Sequence, residues 1–226
     1  MTGPGRDQLS RPLDHSAGAL IDDPAERWAA ALEVSPSSEM RRTTKGTNSM
    51  KRIVEIVGQP LEWTQPSALK MQYELRSDDA IVATLGFRSS FGSFATGQSA
   101  DGCWTFKRVG FWQTRVTIRE CNGEKEVGQF RNNVWKGGGG LELPDGRRFL
   151  ATTNIWETKL EFQDGSGAPL LQLKSRGVIH AAAAVEILPR VVEIPELPLM
   201  VLLAWYVVVM MHQDSAGATA AAVAAG

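Results

Sequence analysis

The run LPLMVLLAWYVVVMM, residues 197–211, constrains this chain more than any other feature. From Leu199 to Met211 it holds thirteen consecutive apolar residues, and as a helix these span about 20 Å. A bilayer's hydrocarbon core is about 30 Å thick and takes about 20 residues to cross. The flanks are acidic, with Glu193 and Glu196 before the run and Asp214 after it, and no Lys or Arg follows Arg190 to anchor an orientation. A helix apolar on every side needs apolar surroundings on every side. Lipid supplies them, and so does the inside of a closed sheet. Val207, Val208 and Val209 are β-branched and keep a buried strand open, although the run exceeds an ordinary strand in length. A buried helix is favoured, with a tail anchor as the alternative.

What could enclose such a helix is written in the preceding residues. In MQYELR, Met71, Tyr73 and Leu75 fall on one face and Lys70, Gln72, Glu74 and Arg76 on the other, a period of two. SDDA supplies a turn and IVATLGF a returning strand. Further on, Trp112, Thr114, Val116 and Ile118 alternate with Gln113, Arg115, Thr117 and Arg119, and Asn122-Gly123 signals a hairpin. EVGQF, LEL, RRFLAT, PLLQLK and AAAVEIL continue the series. In IWETKLEFQ, Trp156, Thr158, Leu160 and Phe162 point inward. About twelve short strands, with almost no helical pattern between them, predict an antiparallel sandwich or barrel.

Residues 1–50 read as a largely disordered extension, rich in Ser, Thr, Gly, Pro and charge, with a short helix at 23–34. There Asp23 and Glu26 suit a capping box and Pro24 suits the first helical position. Met50 offers an alternative start. The first twenty residues lack the apolar core of a secretory signal. The β-rich region with its buried helix at 197–212 occupies residues 51–213, and the Ala- and Gly-rich residues 214–226 read as a disordered tail.

Residues FRSSFGSFATGQSADGCWTFKRVGFW, GGGGLELPDGRRF and LPLMVLLAWYVVVMM resemble the tubby C-terminal-like superfamily, which includes the LURP-one-related proteins and the phospholipid scramblases. The similarity covers about residues 55–213. It implies a mainly β fold, a closed antiparallel barrel of about twelve strands around a central hydrophobic C-terminal α-helix. The chain shows neither a cysteine-rich palmitoylation cluster nor an acidic calcium loop of the scramblase kind, so the resemblance carries fold rather than activity.

No GxSxG, HExxH or EF-hand pattern occurs, and the three histidines, His15, His180 and His212, lack metal-ligand spacing. His212 reads as a cap at the helix C-terminus. Gly137–Gly140 is followed by a strand pattern rather than a helix, so it reads as a flexible or bulged β-connection, not a phosphate loop. Glu157 and Glu161 share an outward face with Lys159, which suits cross-strand ion pairing better than acid–base chemistry. No catalytic set, metal or cofactor is expected. Cys103 and Cys121 have no ligand spacing and read as reduced thiols of a cytoplasmic protein.

A formal net charge of −1 argues against nucleic-acid binding. Six basic residues, Lys107, Arg108, Arg115, Arg119, Arg147 and Arg148, are candidates for holding an anionic headgroup, because arginine forks match phosphate. The ordinary alternative is a mixed solvated surface, since residues 51–226 carry eighteen Lys and Arg and eighteen Asp and Glu. The expected protein is a monomeric, non-enzymatic, cytoplasmic module that binds an anionic phospholipid or a protein partner, peripherally at the inner face of the membrane. A tail-anchored or scramblase-like protein is the alternative, and an enzyme acting on a small molecule or lipid is the third.

Overall fold

Period-two strands with turn chemistry between neighbours close here into one sheet. The computed structural model describes residues 50–90, 92–110, 115–133, 138–154, 158–176 and 181–224; the expected helix at 23–34, Trp112, Trp156, Glu157, His15 and His180 lie outside them. Its strands are β1 Leu61–Thr64, β2 Gln72–Ser77, β3 Ala80–Phe87, β4 Ala95–Ser99, β5 Gly102–Val109 and β6 Arg115–Glu120. The second half adds β7 Glu126–Asn133, β8 Gly138–Glu142, β9 Arg148–Thr153, β10 Lys159–Gln163, β11 Pro169–Arg176 and β12 Ala182–Ile187. Each strand pairs antiparallel with its sequence neighbours, and β1 pairs with β12 through Leu61–Val185 and Trp63–Ala183. The result is a closed up-and-down barrel of twelve strands with no free edge.

Helix α1, Leu197–Ala224, fills it. Every residue from Leu197 to Met210 is buried, with no side chain above 6% exposed among those from Leu199 onward. The Trp205 indole stacks on Trp63 at 5.6 Å and takes the edge of Tyr73 at 5.4 Å. Tyr206 stacks between Phe87 at 5.5 Å and Phe106 at 5.4 Å, and its hydroxyl donates to the Ser93 carbonyl at 2.6 Å. The three consecutive valines are helical: burial on all sides outweighs a propensity penalty of a few tenths of a kcal/mol each, ~0.5. Inward glycine Gly97 makes room for the helix, since a Cβ there would lie 3.0 Å from Leu202.

Four expectations are corrected. The helix does not stop at 212 but runs on to Ala224, so His212 sits within it rather than capping its end. Gly138, Gly139 and Gly140 are part of strand β8, not a connection, and a Cβ on Gly139 would collide with the Phe130 ring. Thr158 is exposed ahead of β10 instead of facing inward. Cys103 and Cys121 are joined as a disulfide, with Cα atoms 5.4 Å apart. The β5–β6 register explains the bridge: Trp104 pairs with Glu120, so the next pair along is Cys103 with Cys121, whose amide donates to the Cys103 carbonyl at 3.1 Å.

Candidate functional site

The six candidate basic residues separate by their direction from the barrel wall. On β5, Phe106 is buried and Lys107 exposed, so alternation turns Lys107 outward and Arg108 inward at the barrel rim. Arg108 Nη1 donates to both carboxylate oxygens of Asp214 on α1, at 2.6 and 2.9 Å. Arg147, in the β8–β9 turn, forks onto Glu196 at the start of α1, with Nη1 at 2.9 Å and Nη2 at 2.5 Å from its two oxygens. Its Nε donates to Asp145 at 2.7 Å. The hydrogen bonds to Glu196 and then to Asp145 raise the Arg147 pKa further above its ordinary value. Asp145 is held below the usual carboxylate range, first by the Arg147 backbone amide and then by its side chain. Arg108 and Arg147 therefore tie the helix to the barrel and are committed.

Lys107, Arg115 and Arg119 are brought together on the outer face of β5 and β6. Buried Val116 and Ile118 turn Arg115, Thr117 and Arg119 outward, and the register sets Lys107 opposite Thr117 and Thr105 opposite Arg119. Among the described residues these three cationic side chains have no hydrogen-bond or ion-pair partner. β7 extends the face and adds a cation that the sequence reading missed: Arg131 lies directly opposite Arg115. Cross-strand like charges destabilise a sheet pair; Arg131 has the Glu142 carboxylate beside it, and Arg115 is the one of the two without a partner among the described residues.

Glu142 borders the face on β8. It accepts from Gln129 at 3.1 Å and lies 3.3 Å from Arg131 and 3.4 Å from Arg148. Arg148 is thus at the margin, on β9, in the transverse row Lys107–Thr117–Gln129–Glu142–Arg148. On the far side, Glu126 lies opposite Arg119.

This basic face is an outer wall rather than a cleft. A concavity of about 300 Å³ lies elsewhere, lined by Trp104, Leu143, Pro195 and Leu199 around the Arg147–Glu196 pair. Another, of about 20 Å³, sits between Arg108, Tyr206 and Asp214 and has room for about one water. Glu161 is engaged by Gln163 at 2.7 Å, Gln172 at 2.8 Å and Lys159 at 2.9 Å; the hydrogen bond from Gln163 and then the contact with Lys159 lower its pKa. It is a structural carboxylate. Among the described residues no group of three or more His, Cys, Asp and Glu is placed to hold a metal.

No family model matches the chain, and no curated protein matches it. Among solved structures, the X-ray structure of the Arabidopsis thaliana protein AT5G01750 is similar at a TM-score of 0.41 and 8% identity, over 61% of this chain and 87% of that one. So distant a likeness carries no argument about activity. Among the described residues one helix, over residues 197–217, is long and apolar enough to cross a membrane, and 78% of its most apolar window is buried.

Proposed function

We propose that this chain is a non-enzymatic binding module of the tubby C-terminal-like kind that docks on anionic phospholipid headgroups through the outer face of β5–β7. The observation that carries this reading is the direct opposition of Arg115 and Arg131, with Lys107 and Arg119 on the same face and without partners among the described residues. Guanidinium forks bind phosphate oxygens in pairs, and an anion between opposed arginines removes a repulsion as it binds. Use of the apolar terminal run as the barrel's core supports peripheral docking over a tail anchor; docking by a monomer at the cytoplasmic face is part of the proposal. Because the face is exposed, its attraction for a charged surface is screened by salt, with a Debye length of about 10 Å at 0.1 M.

Vesicle flotation tests this. The protein should float with phosphatidylcholine vesicles containing phosphatidylglycerol, stay down with pure phosphatidylcholine, and be released by salt. Arg115→Ala combined with Arg119→Ala should abolish flotation while leaving the fold intact. Absence of wild-type binding, or binding indifferent to the double substitution, would sink the proposal.

A further inference from the structure

The disulfide stands at one end of the same basic face. Residues at alternate positions of a strand share a side, so Cys103 lies on the line of Thr105 and Lys107, and Cys121 follows Thr117 and Arg119. The bridged pair is two residues beyond the Thr105–Arg119 pair, with Trp104–Glu120 between them. Both cysteines are only partly buried, so a thiol can reach them. They are the only two cysteines of the chain.

Why the bridge matters there follows from the other side of β6. The β6–β7 register shifts between Ile118 and Arg119: Ile118 pairs with Gly128, whereas Arg119 pairs with Glu126. Such a bulge interrupts the ladder. Arg119 thus has Thr105 opposite it on β5 and Glu126 on β7, the latter cut off from the rest of the β6–β7 ladder by the bulge, and the disulfide closes the β5–β6 pairing at the strand end, at the turn of residues 121–125. Loss of register would move outward side chains to the other face.

We propose that the Cys103–Cys121 bridge is a redox control on the basic face: closed, it holds Arg119 and its neighbours in position, and open, it loosens this end of β6 and weakens anion binding. The inference rests on the reading of that face as the binding site. The step is thiol–disulfide exchange with a dithiol. A thiolate of the dithiol attacks one cysteine sulfur, forming a mixed disulfide and releasing the other cysteine as thiolate. The second thiol of the reagent then displaces the first cysteine, so the reagent becomes a disulfide and the protein gains two electrons and two protons. Arg119, two positions before Cys121, stabilises a thiolate there and favours it as the leaving group. In a compartment kept reducing by thiols, bridges of this kind are characteristically transient and redox-sensing. The face then gains affinity on oxidation.

The experiment compares the oxidised full chain, the chain reduced by dithiothreitol, the same sample reoxidised, and the variant Cys103→Ser with Cys121→Ser. Amide hydrogen exchange and flotation on phosphatidylglycerol-containing vesicles are read in parallel. Reduction should speed exchange across residues 119–125 by about tenfold or more, with the inward ladder of β10–β12 unchanged. Vesicle affinity should fall about tenfold, which is about 1.4 kcal/mol. Reoxidation should restore both, and the reversibility distinguishes a switch from a variant that has simply misfolded. Exchange that is the same in both redox states overturns the proposal, as does equal affinity of both forms despite altered exchange. If the oxidised protein binds no vesicle at all, the functional reading fails instead, and exchange alone then decides whether the bridge orders this edge.

Discussion

The axis of the barrel and the outer face of β5–β7 treat strong side chains in opposite ways. Along the axis, Trp205 stacks on Trp63 and meets Tyr73 edge-on, Tyr206 is sandwiched by two rings of the inner wall, and the helix is tied to the barrel by Arg147 to Glu196 and Arg108 to Asp214. On β5–β7, Lys107, Arg115 and Arg119 have no partner among the described residues, and Arg115 confronts Arg131. The same residue type is thus spent on structure in one place and left available in the other. Charges that the fold does not use are the ones to examine for function. Four predictions test how completely the two regions are separated.

The largest effect belongs to the axis. Deleting residues 197–213 removes the buried segment of α1, and each fully buried Leu, Met or Val side chain contributes about 1.5–3 kcal/mol. The total lost exceeds the 5–15 kcal/mol, roughly, by which domains are stable. The truncated chain should fail to fold, seen as loss of the cooperative transition in circular dichroism. A soluble truncated chain with native strand signal would show that the barrel stands without its core.

Within the axis, Trp205→Ala should cost about 3–5 kcal/mol in denaturant unfolding, the range for emptying a large aromatic site. Trp205→Phe should cost distinctly less. It keeps most of the ring contact with Trp63 and Tyr73, and it removes an indole N–H that is buried without a hydrogen-bond partner. Equal losses for the two variants would mean that the stack with Trp63 is not where the helix gets its hold.

The axis was the legible region in the sequence and the basic face was not, for physical reasons. Alternation identifies Tyr73, Leu75, Val116, Ile118, Leu160 and Phe162 as inward because period two is local information. All six are buried. Which outward residues meet is set by register, which is long-range. A turn centred on Asn122-Gly123 pairs Arg119 with Glu126, but the bulge at Ile118 moves the rest by one, so that Arg115 meets Arg131 instead of Phe130. The sequence carries no visible mark of that bulge. The cysteine bridge was closer to hand: positions 103 and 121 are equidistant from the centre of the β5–β6 connection, so fixing that hairpin's register would have found it. The helix beyond His212 was missed because its end was placed just after the apolar run stops. Ala216–Ala224 is rich in the best helix former and simply continues it.

Tyr73 gives the axis a pH signature. Burial pushes its phenol up from about 10 to about 12. Tyr206 is raised as well, again chiefly by burial. A pKa raised in the fold means that the native state prefers the protonated phenol. The stabilisation is fully present below the unfolded value of about 10 and is lost as pH rises through the folded value of about 12. Unfolding midpoints in urea should therefore fall over that window. Since the chain has only two tyrosines, tyrosinate absorbance of the folded protein should stay low until its upper end. A phenol titrating near pH 10, roughly its model-compound value, in the folded protein would contradict the packing of Tyr73.

The smallest effect has the opposite sign and belongs to the outer face. Arg147→Ala breaks the fork onto Glu196 and should lower Tm by a few degrees while leaving vesicle binding intact, as expected of a committed charge. Arg115→Gln removes one of two opposed cations and breaks no hydrogen bond or ion pair among the described residues. Like charges directly opposite destabilise a strand pair by about 0.2–1 kcal/mol, so this variant should be marginally more stable than wild type at low salt. The gain should disappear near 1 M salt, where the Debye length is about 3 Å. Vesicle binding should weaken in the same variant. A gain in stability at the expense of binding separates a charge retained for a partner from one retained for the fold; a clear loss of stability in Arg115→Gln would move Arg115 into the same class as Arg147 and take the argument for the basic face with it.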